Sequence, residues 1–330
     1  MNFRNAAGVV LLSLAVVACG GGGGSAPPPT GGGGGGTTPP PPPPPPPPPA
    51  ITYTKFADLT GNQTFKTACG GVEFQGGARP ITASDFGEGV SQGRSLDIAF
   101  VGSTSTWNIT GPAFTTSFGP SDLSATPPAN TVLYQRTNFV GGTDRFAIAA
   151  RPFGTQPAEY VRGSRLFIVP ATGRTLDFWC VFGVPTVLSD SRPASTITFT
   201  SFNIGGSISA VSSTGLTQFD LGDSTVTLTS NPTTGAVTTR LTLVGRQFTP
   251  SGLSTTQTQF GTYDGVATVN GTTDTFRNRL TSSSKVSVDS NFGGWFFGPQ
   301  GLEAGFAFNI AVDEPDGTRL LGAGAVTARR

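Results

Sequence analysis

From residue 51 to residue 330 no window sustains a helical 3.6-residue period for more than about two turns. What recurs instead is alternation of apolar and polar residues over five to nine positions, bounded by Gly, Pro, Asn and Asp, and that pattern belongs to strands and turns. The chain is therefore expected to be all-β. In its first half the strand candidates are 95–101 (SLDIAFV), 131–140 (TVLYQRTNFV), 145–150 (RFAIAA), 164–169 (SRLFIV) and 175–184 (TLDFWCVFGV), separated by long, uneven loops. Residues 51–190 accordingly read as a less regular, mostly β domain.

The second half, 195–330, is more regular. Candidates follow one another at 195–204, 224–230, 236–245, 260–269, 273–282, 285–290, 293–298, 302–312 and 319–328. Asn231-Pro-Thr-Thr-Gly235 supplies turn chemistry for a hairpin in which Val226 and Leu228 can face Val237, Leu241 and Leu243. Consecutive short strands on short turns predict an up-and-down antiparallel β-barrel, whose closure removes exposed sheet edges. In 302–312 the even positions Leu302, Ala304, Phe306, Phe308, Ile310 and Val312 form an apolar face, while Glu303, Gly305, Ala307, Asn309 and Ala311 form a small or polar one. One apolar face suits a filled barrel in water and equally a barrel in lipid. Thr238, Arg240, Thr242, Arg277 and Arg279 on the opposite faces of neighbouring strands favour the soluble form.

The first 50 residues belong to neither domain. Residues 1–18 read as an export signal, with Arg4 before an apolar stretch from Ala6 to Val17 too short to span a bilayer as a mature helix. The tetrapeptide Val16-Val17-Ala18-Cys19 resembles a bacterial lipobox, which makes Cys19 the lipidation site; the alternative is a plain secretory signal with a stray thiol. Residues 19–50 hold two glycine runs and eleven consecutive prolines, Pro39–Pro49, a composition that builds no core. The proline run makes a polyproline II rod of about 34 Å, so this segment reads as a stalk.

Composition narrows the chemistry. Arg4 is the only charged side chain before residue 51, so a total of 20 Lys+Arg against 19 Asp+Glu leaves the remainder with a formal charge of zero. A neutral chain has no general electrostatic attraction for nucleic acid. With no histidine there is no Ser-His-Asp or Cys-His relay, no zinc site of the usual kind and no histidine ligand for haem. If Cys19 carries lipid, Cys69 and Cys180 are the remaining two of three cysteines, and in an exported protein they are expected to form a disulfide rather than remain two buried thiols. Closing a loop of about 110 residues stabilises by roughly 4.7 kcal/mol on the loop-entropy model.

The stretch Gly294–Phe308 (GWFFGPQGLEAGFAF) resembles a signature of the C-terminal barrel of bacterial transferrin-binding-protein-like surface lipoproteins. The matching positions are Gly294, Phe296, Phe297, Gly298, Pro299, Glu303, Gly305 and, by a one-residue offset, Phe308; Ala304, Ala307 and Gly301 depart from it. The chain's ending, LLGAGAVTARR, is similar to that family's. The resemblance implies one lobe of a handle domain, 51–190, followed by an eight-stranded barrel, 195–330, behind a lipobox and low-complexity anchor. It further implies a monomeric outer-membrane lipoprotein, facing the surface or the periplasm, that binds an iron-carrier protein or haem, needs no resident cofactor and is not an enzyme. An envelope scaffold or adhesion lipoprotein with no small ligand is the alternative, and an envelope enzyme, disfavoured by the missing histidines, is the third. Ligand-gripping loops are not the shared part of such proteins, so the binding residues are not implied.

Other constellations read as structural. Glu303 is expected to be solvated or bonded to a turn, the alternatives being that it braces the hairpin or orients a partner. Gly222-Asp223-Ser224 and the serines of 205–209 lack a histidine base for nucleophilic catalysis. Tyr53, Tyr134, Tyr160 and Tyr263 are expected to be packed strand residues rather than haem ligands. Asp313, Glu314 and Asp316 are expected to be a solvated turn rather than a calcium loop.

Overall fold

A computed structural model describes residues 51–330 apart from 66, 75–77, 82–95, 112–113, 139–140, 171–172, 191, 194 and 288. The signal sequence of 1–18, Cys19 and the stalk of 19–50 lie outside the described residues. The described chain is all-β: strands are joined by turns and three single-turn 3-10 segments, with no α-helix among the described residues.

Residues 50–330 form one compact unit, whose first part, called the first domain below, is built from β1 (Gln63–Phe65), β2 (Thr67–Phe74), β3 (Ala78–Ile81), β4 (Asp97–Val101), β5 (Thr106–Gly111), β6 (Phe114–Phe118), β7 (Thr131–Thr137), β8 (Thr143–Ala149), β9 (Val161–Ile168) and β10 (Thr175–Gly183). They form a four-stranded sheet, β1-β4-β5-β6, and a six-stranded sheet, β3-β2-β10-β9-β8-β7, antiparallel throughout. Between the sheets lies an aromatic core in which Trp107 contacts Phe65, Phe100, Phe146 and Phe182. The Cys69–Cys180 disulfide faces this core, joining β2 to β10 at directly paired positions.

The second domain contains β11 (Ile197–Phe199), β12 (Ser201–Ser212), β13 (Gly215–Asp220), β14 (Thr225–Asn231), β15 (Ala236–Thr249), β16 (Gly252–Thr268), β17 (Thr275–Thr281), β18 (Val286–Ser287), β19 (Asn291–Phe297), β20 (Glu303–Asp313) and β21 (Arg319–Arg329). Three staves consist of two strands end to end: β11 with β12, β13 with β14, and β18 with β19. The 11-stranded sheet is therefore an eight-stave meander. Pairing of β21 with β12, from Ser201↔Arg329 to Val211↔Arg319, and of β15 with β16 closes it into a barrel.

Local chemistry sets the turns. In the β14–β15 hairpin Asn231 Oδ1 accepts the N–H groups of Thr233 (3.0 Å) and Thr234 (3.2 Å), and Gly235 supplies φ +70°. The barrel interior is filled by Leu228, Leu241, Tyr263, Phe276, Phe292, Phe296, Phe306 and Phe308 with their neighbours. Thr238 and Arg240 of β15 and Arg277 and Arg279 of β17 are exposed, as the alternation predicts.

Two features of this region go beyond what alternation gives. The small face of β20 is not turned to water, because Gly305, Ala307 and Ala311 are buried under the first domain. Nor do all the aromatics of 292–308 fill the barrel, since Trp295 and Phe297 point outward and pack on Tyr160, Val161 and Val181. Both follow from one cause: the six-stranded sheet lies face to face on β19, β20 and β21, so these strands are buried on both sides. Packing at this distance requires small residues. A Cβ at Gly70 would stand 2.1 Å from Phe308 O, and one at Gly305 would stand 3.0 Å from Val161 Cγ2 and 3.1 Å from Val181 Cβ.

Reducing Cys69–Cys180, or replacing either cysteine by alanine, should destabilise the protein by up to about 4 kcal/mol, a fall in Tm of roughly 10 °C. Thermal melts with and without reductant check this.

Candidate functional site

The residues of the signature meet at the junction of the two domains. β20 starts at Glu303, whose side chain is fully buried between β20 and the start of β9. Its Oε1 accepts the Glu159 N–H (2.8 Å) and a hydrogen bond from the Arg329 guanidinium (3.0 Å), and its Oε2 accepts the N–H groups of Tyr160 and Val161 (both 2.8 Å). The solvated or turn-bonded side chain expected from sequence is thus corrected: Glu303 braces one domain against the other across 142 residues of chain. A buried carboxylate is tolerated here because a cation and three backbone donors surround it.

The remaining signature residues shape the same junction. A Cβ at Gly294 would lie 1.9 Å from Gly305 O, so the close approach of β19 and β20 needs glycine there. Gly298 has φ +70° and lies beneath the Tyr160 ring. Its N–H donates to Val184 O (3.0 Å), and its carbonyl accepts the Thr186 hydroxyl (2.7 Å). Pro299 opens the turn Pro299–Gly301, and the Gln300 N–H donates to Asp190 Oδ2 (2.7 Å). Phe296 and Phe308 face the barrel core, whereas Phe297 faces the first domain. The signature residues are therefore spent on holding the fold.

Around Glu303, Arg329 also approaches Glu159 (3.7 Å), which pairs with Lys55 (2.5 Å). The Lys55 ammonium, with help from Arg329, holds the Glu159 carboxyl below its usual range.

Beside this junction a cleft of about 180 Å³ opens between the first domain's β8, β9 and β10 and the barrel's β12 and β21. Its floor is made of small residues from both sides: Ala147, Ala149 and Gly163, opposed by Gly205, Ala325 and Thr327. Trp179 and Arg165 form a wall. The Arg165 guanidinium lies 4.7 Å from the Trp179 ring and grips Asp177 through Nε (2.8 Å) and NH2 (2.9 Å). Asp177 also accepts the Ser207 hydroxyl (3.2 Å), which ties the wall to the barrel. Exposed Pro128 and Arg151 mark the mouth. Asn203 donates its amide to the carbonyls of Arg151 and Pro152 (both 3.2 Å). Gly163 stands apart from the junction glycines: its φ is not left-handed, and a Cβ there would meet only Thr327 Cγ2, at 3.9 Å. Glycine inside a strand costs roughly 0.5–1 kcal/mol relative to alanine, and nothing in the protein's own packing requires it here.

The other sequence candidates are engaged elsewhere. The Ser224 hydroxyl donates to Val244 O (3.1 Å) and accepts the Val244 N–H (3.0 Å), while Asp223 pairs with Arg246. Tyr53 donates to Asp190 (2.8 Å), and burial pushes its hydroxyl up to about 12. Tyr134 accepts the Trp107 Nε1–H (3.1 Å); Tyr263 lies inside the barrel, donates to Phe260 O (3.1 Å) and is held above its ordinary value by burial. In the acidic loop Asp313 pairs with Arg319 (3.4 Å), Glu314 with Lys285 (2.6 Å), and Asp316 accepts the Thr318 N–H (2.9 Å).

The β15–β16 hairpin departs from the barrel. From Gly252 to Gln259 its residues are exposed or half-exposed on both faces, and its tip carries the cross-strand pair Phe248↔Leu253 at 43% and 49% exposure. Leu216, 50% exposed, follows the β12–β13 turn at the same end of the barrel, since β13 pairs with β15 at Phe219↔Gln247 and Asp220↔Arg246. Sequence reading gave no strand between residues 245 and 260 and missed this ribbon.

Two outcomes check the junction. Glu303→Gln places an N–H₂ group against backbone donors and should cost about 3 kcal/mol in urea unfolding, since each buried donor left unmatched costs ~1–3 kcal/mol. Glu159, with its pKa lowered in the folded state, contributes stability that is full above the ordinary carboxylate range and lost as pH falls through the lowered value. Glu159→Gln should therefore melt below wild type at neutral pH, with the gap closing in acid.

Neither protein-family models nor the sequences of curated proteins give a match to this chain. Among solved structures it is similar to a transferrin binding protein B (TbpB) mutant from Haemophilus parasuis, with TM-score 0.35 and 12% identity, covering 83% of this chain and 60% of that one. It is also similar to an intact TbpB with its N and C lobes, with TM-score 0.34 and 12% identity over 83% of this chain and 61% of that one. A third is the isotype 1 TbpB of serogroup B Neisseria meningitidis, with TM-score 0.36 and 10% identity over 80% of this chain and 43% of that one. The chain spans about 60% or less of the length of these proteins, and at these scores the likeness is distant.

Proposed function

We propose that this protein is a lipid-anchored outer-membrane binding protein that captures an iron-carrier protein. Cys19 is the attachment point, residues 19–50 are the stalk, and residues 51–330 are the presented body. The observation that carries the binding role is the ribbon of β15 and β16, with Phe248, Leu253 and nearby Leu216 presented at one end of a braced barrel. Exposed apolar side chains on a rigid mount supply what protein recognition uses, contact area that loses little conformational freedom on binding. Iron as the theme comes from the sequence resemblance at Gly294–Phe308, and binding of transferrin belongs to the names of the similar structures.

A protein ligand fits this geometry better than haem. The 180 Å³ cleft is smaller than the ~300–1,000 Å³ of ordinary ligand pockets, and the hydroxyls of Tyr53, Tyr134 and Tyr263 are already bonded. No helix among the described residues is long and apolar enough to cross a membrane, and the proposed anchor needs none.

Immobilised full-length protein should retain transferrin or haemoglobin from serum, and Phe248→Asp with Leu253→Asp should weaken capture at least about tenfold with Tm unchanged. Retention of neither carrier sinks the iron-carrier assignment; retention of another surface protein favours adhesion. Cys19→Ser should move the protein from the membrane to the soluble fraction, read by fractionation and blotting.

A further inference from the structure

We propose that the cleft between β8–β10 and β12/β21 is a binding site for a small aromatic carboxylate. The inference stands apart from the capture of a carrier protein, since it uses a different surface and a different class of ligand. Three observations carry it.

The first is size and lining. A cavity of about 180 Å³ is close to the ~150 Å³ apolar cavity that accommodates benzene in another protein, so one ring with one substituent fills it. Its floor of alanine, glycine and threonine presents little relief, and Trp179 supplies an aromatic wall, a combination that suits a flat, rigid body. The indole is held in place by the Arg165 guanidinium, by Gly205 beneath its edge and by an Nε1–H contact to Ser207 Oγ at 3.4 Å.

The second is charge. Arg165 is matched by Asp177, so the wall is close to neutral. Arg151 at the mouth has no acidic partner among the described residues, and its backbone is fixed by the bond from Asn203. An exposed guanidinium beside a small apolar cleft offers a fork of donors that matches a carboxylate held at the rim. The ring would lie inside and the anion at the mouth.

The third is Gly163. Every other glycine at the interface of the two domains that approaches its neighbours closely does so for packing: Gly70, Gly205 and Gly305 each face an atom within about 3 Å of where a Cβ would stand. Gly163 faces open space in the middle of β9, with only the Thr327 methyl at 3.9 Å. An open glycine in a strand interior marks a place where something other than the chain comes close to the backbone.

The same feature supplies the test. Gly163→Val puts two methyl groups into the cleft while its Cβ stays at ordinary contact distance from the barrel. Benzoate titrated into the full-length protein, followed by ligand-observed NMR, should saturate one site with a Kd of about 1 mM, the range for a ligand of this size. Gly163→Val should weaken binding at least about tenfold. Arg151→Gln should weaken benzoate at least about fivefold and leave the neutral comparator benzamide unchanged. Melting curves should place both variants within about 4 °C of the parent, the effect of roughly 1 kcal/mol; should Gly163→Val fail to fold, Gly163→Ala and Arg151→Gln carry the same comparison. Failure of benzoate to saturate by about 20 mM, or equal affinity in parent and variants, overturns the proposal. Loss of carrier-protein capture with benzoate binding intact, or the reverse, separates this site from the function proposed above.

Discussion

The two domains are held in one arrangement by a carboxylate that water does not reach. Glu303 begins β20 of the barrel, yet its oxygens are bonded to the backbone at the start of β9 in the other domain and to Arg329 at the end of the chain. Residues far apart in sequence thus depend on one buried charge, and the charge is acceptable only while all of them are in place. Around it the link from Val184 to Thr186 is bonded to the turn at Gly298, and Tyr160 covers that turn. Beside Trp179, small residues of both sheets line the cleft.

A sheet lying flat on a barrel imposes a second condition. β20 carries large side chains toward the barrel core, Phe306, Phe308, Ile310 and Val312, and small ones toward the first domain, Gly305, Ala307 and Ala311; on β21 Ala323 and Ala325 continue the small outer face beside Leu321. On β2, Cys69 and Gly71 turn to the domain core and Ala68, Gly70 and Val72 turn to the barrel. Where the sheet does not cover the barrel, as on β15 and β17, the outer face carries Arg and Thr instead. The outer face of each stave records what lies above it.

Much of the barrel was legible in sequence because its strands alternate and its turns have recognisable chemistry; β14, β15, β19, β20 and β21 lie close to the expected spans. β2 was not legible. Gly70 and Gly71 look like a turn, but they sit inside a strand because Phe308 O and the Phe178 ring occupy the space a side chain would need. β13 and the outer half of β16 were missed for the opposite reason: they are polar and exposed, so burial leaves no pattern on them. The lining of the cleft comes from six strands, and no local spacing could have brought Gly163, Trp179, Arg151 and Asn203 together.

Sequence by itself determined the all-β class, the meander, the absence of imidazole chemistry and the residues of the signature turn, because each of these depends on residue type, local period or composition. Tertiary structure alone decided what those residues do. Glu303 became a brace rather than a solvated side chain, Trp295 and Phe297 became contacts between domains, and the small face of β20 became a buried surface. The physical reason is that burial depends on what packs against a strand, and alternation within the strand records two faces without naming the neighbour of either.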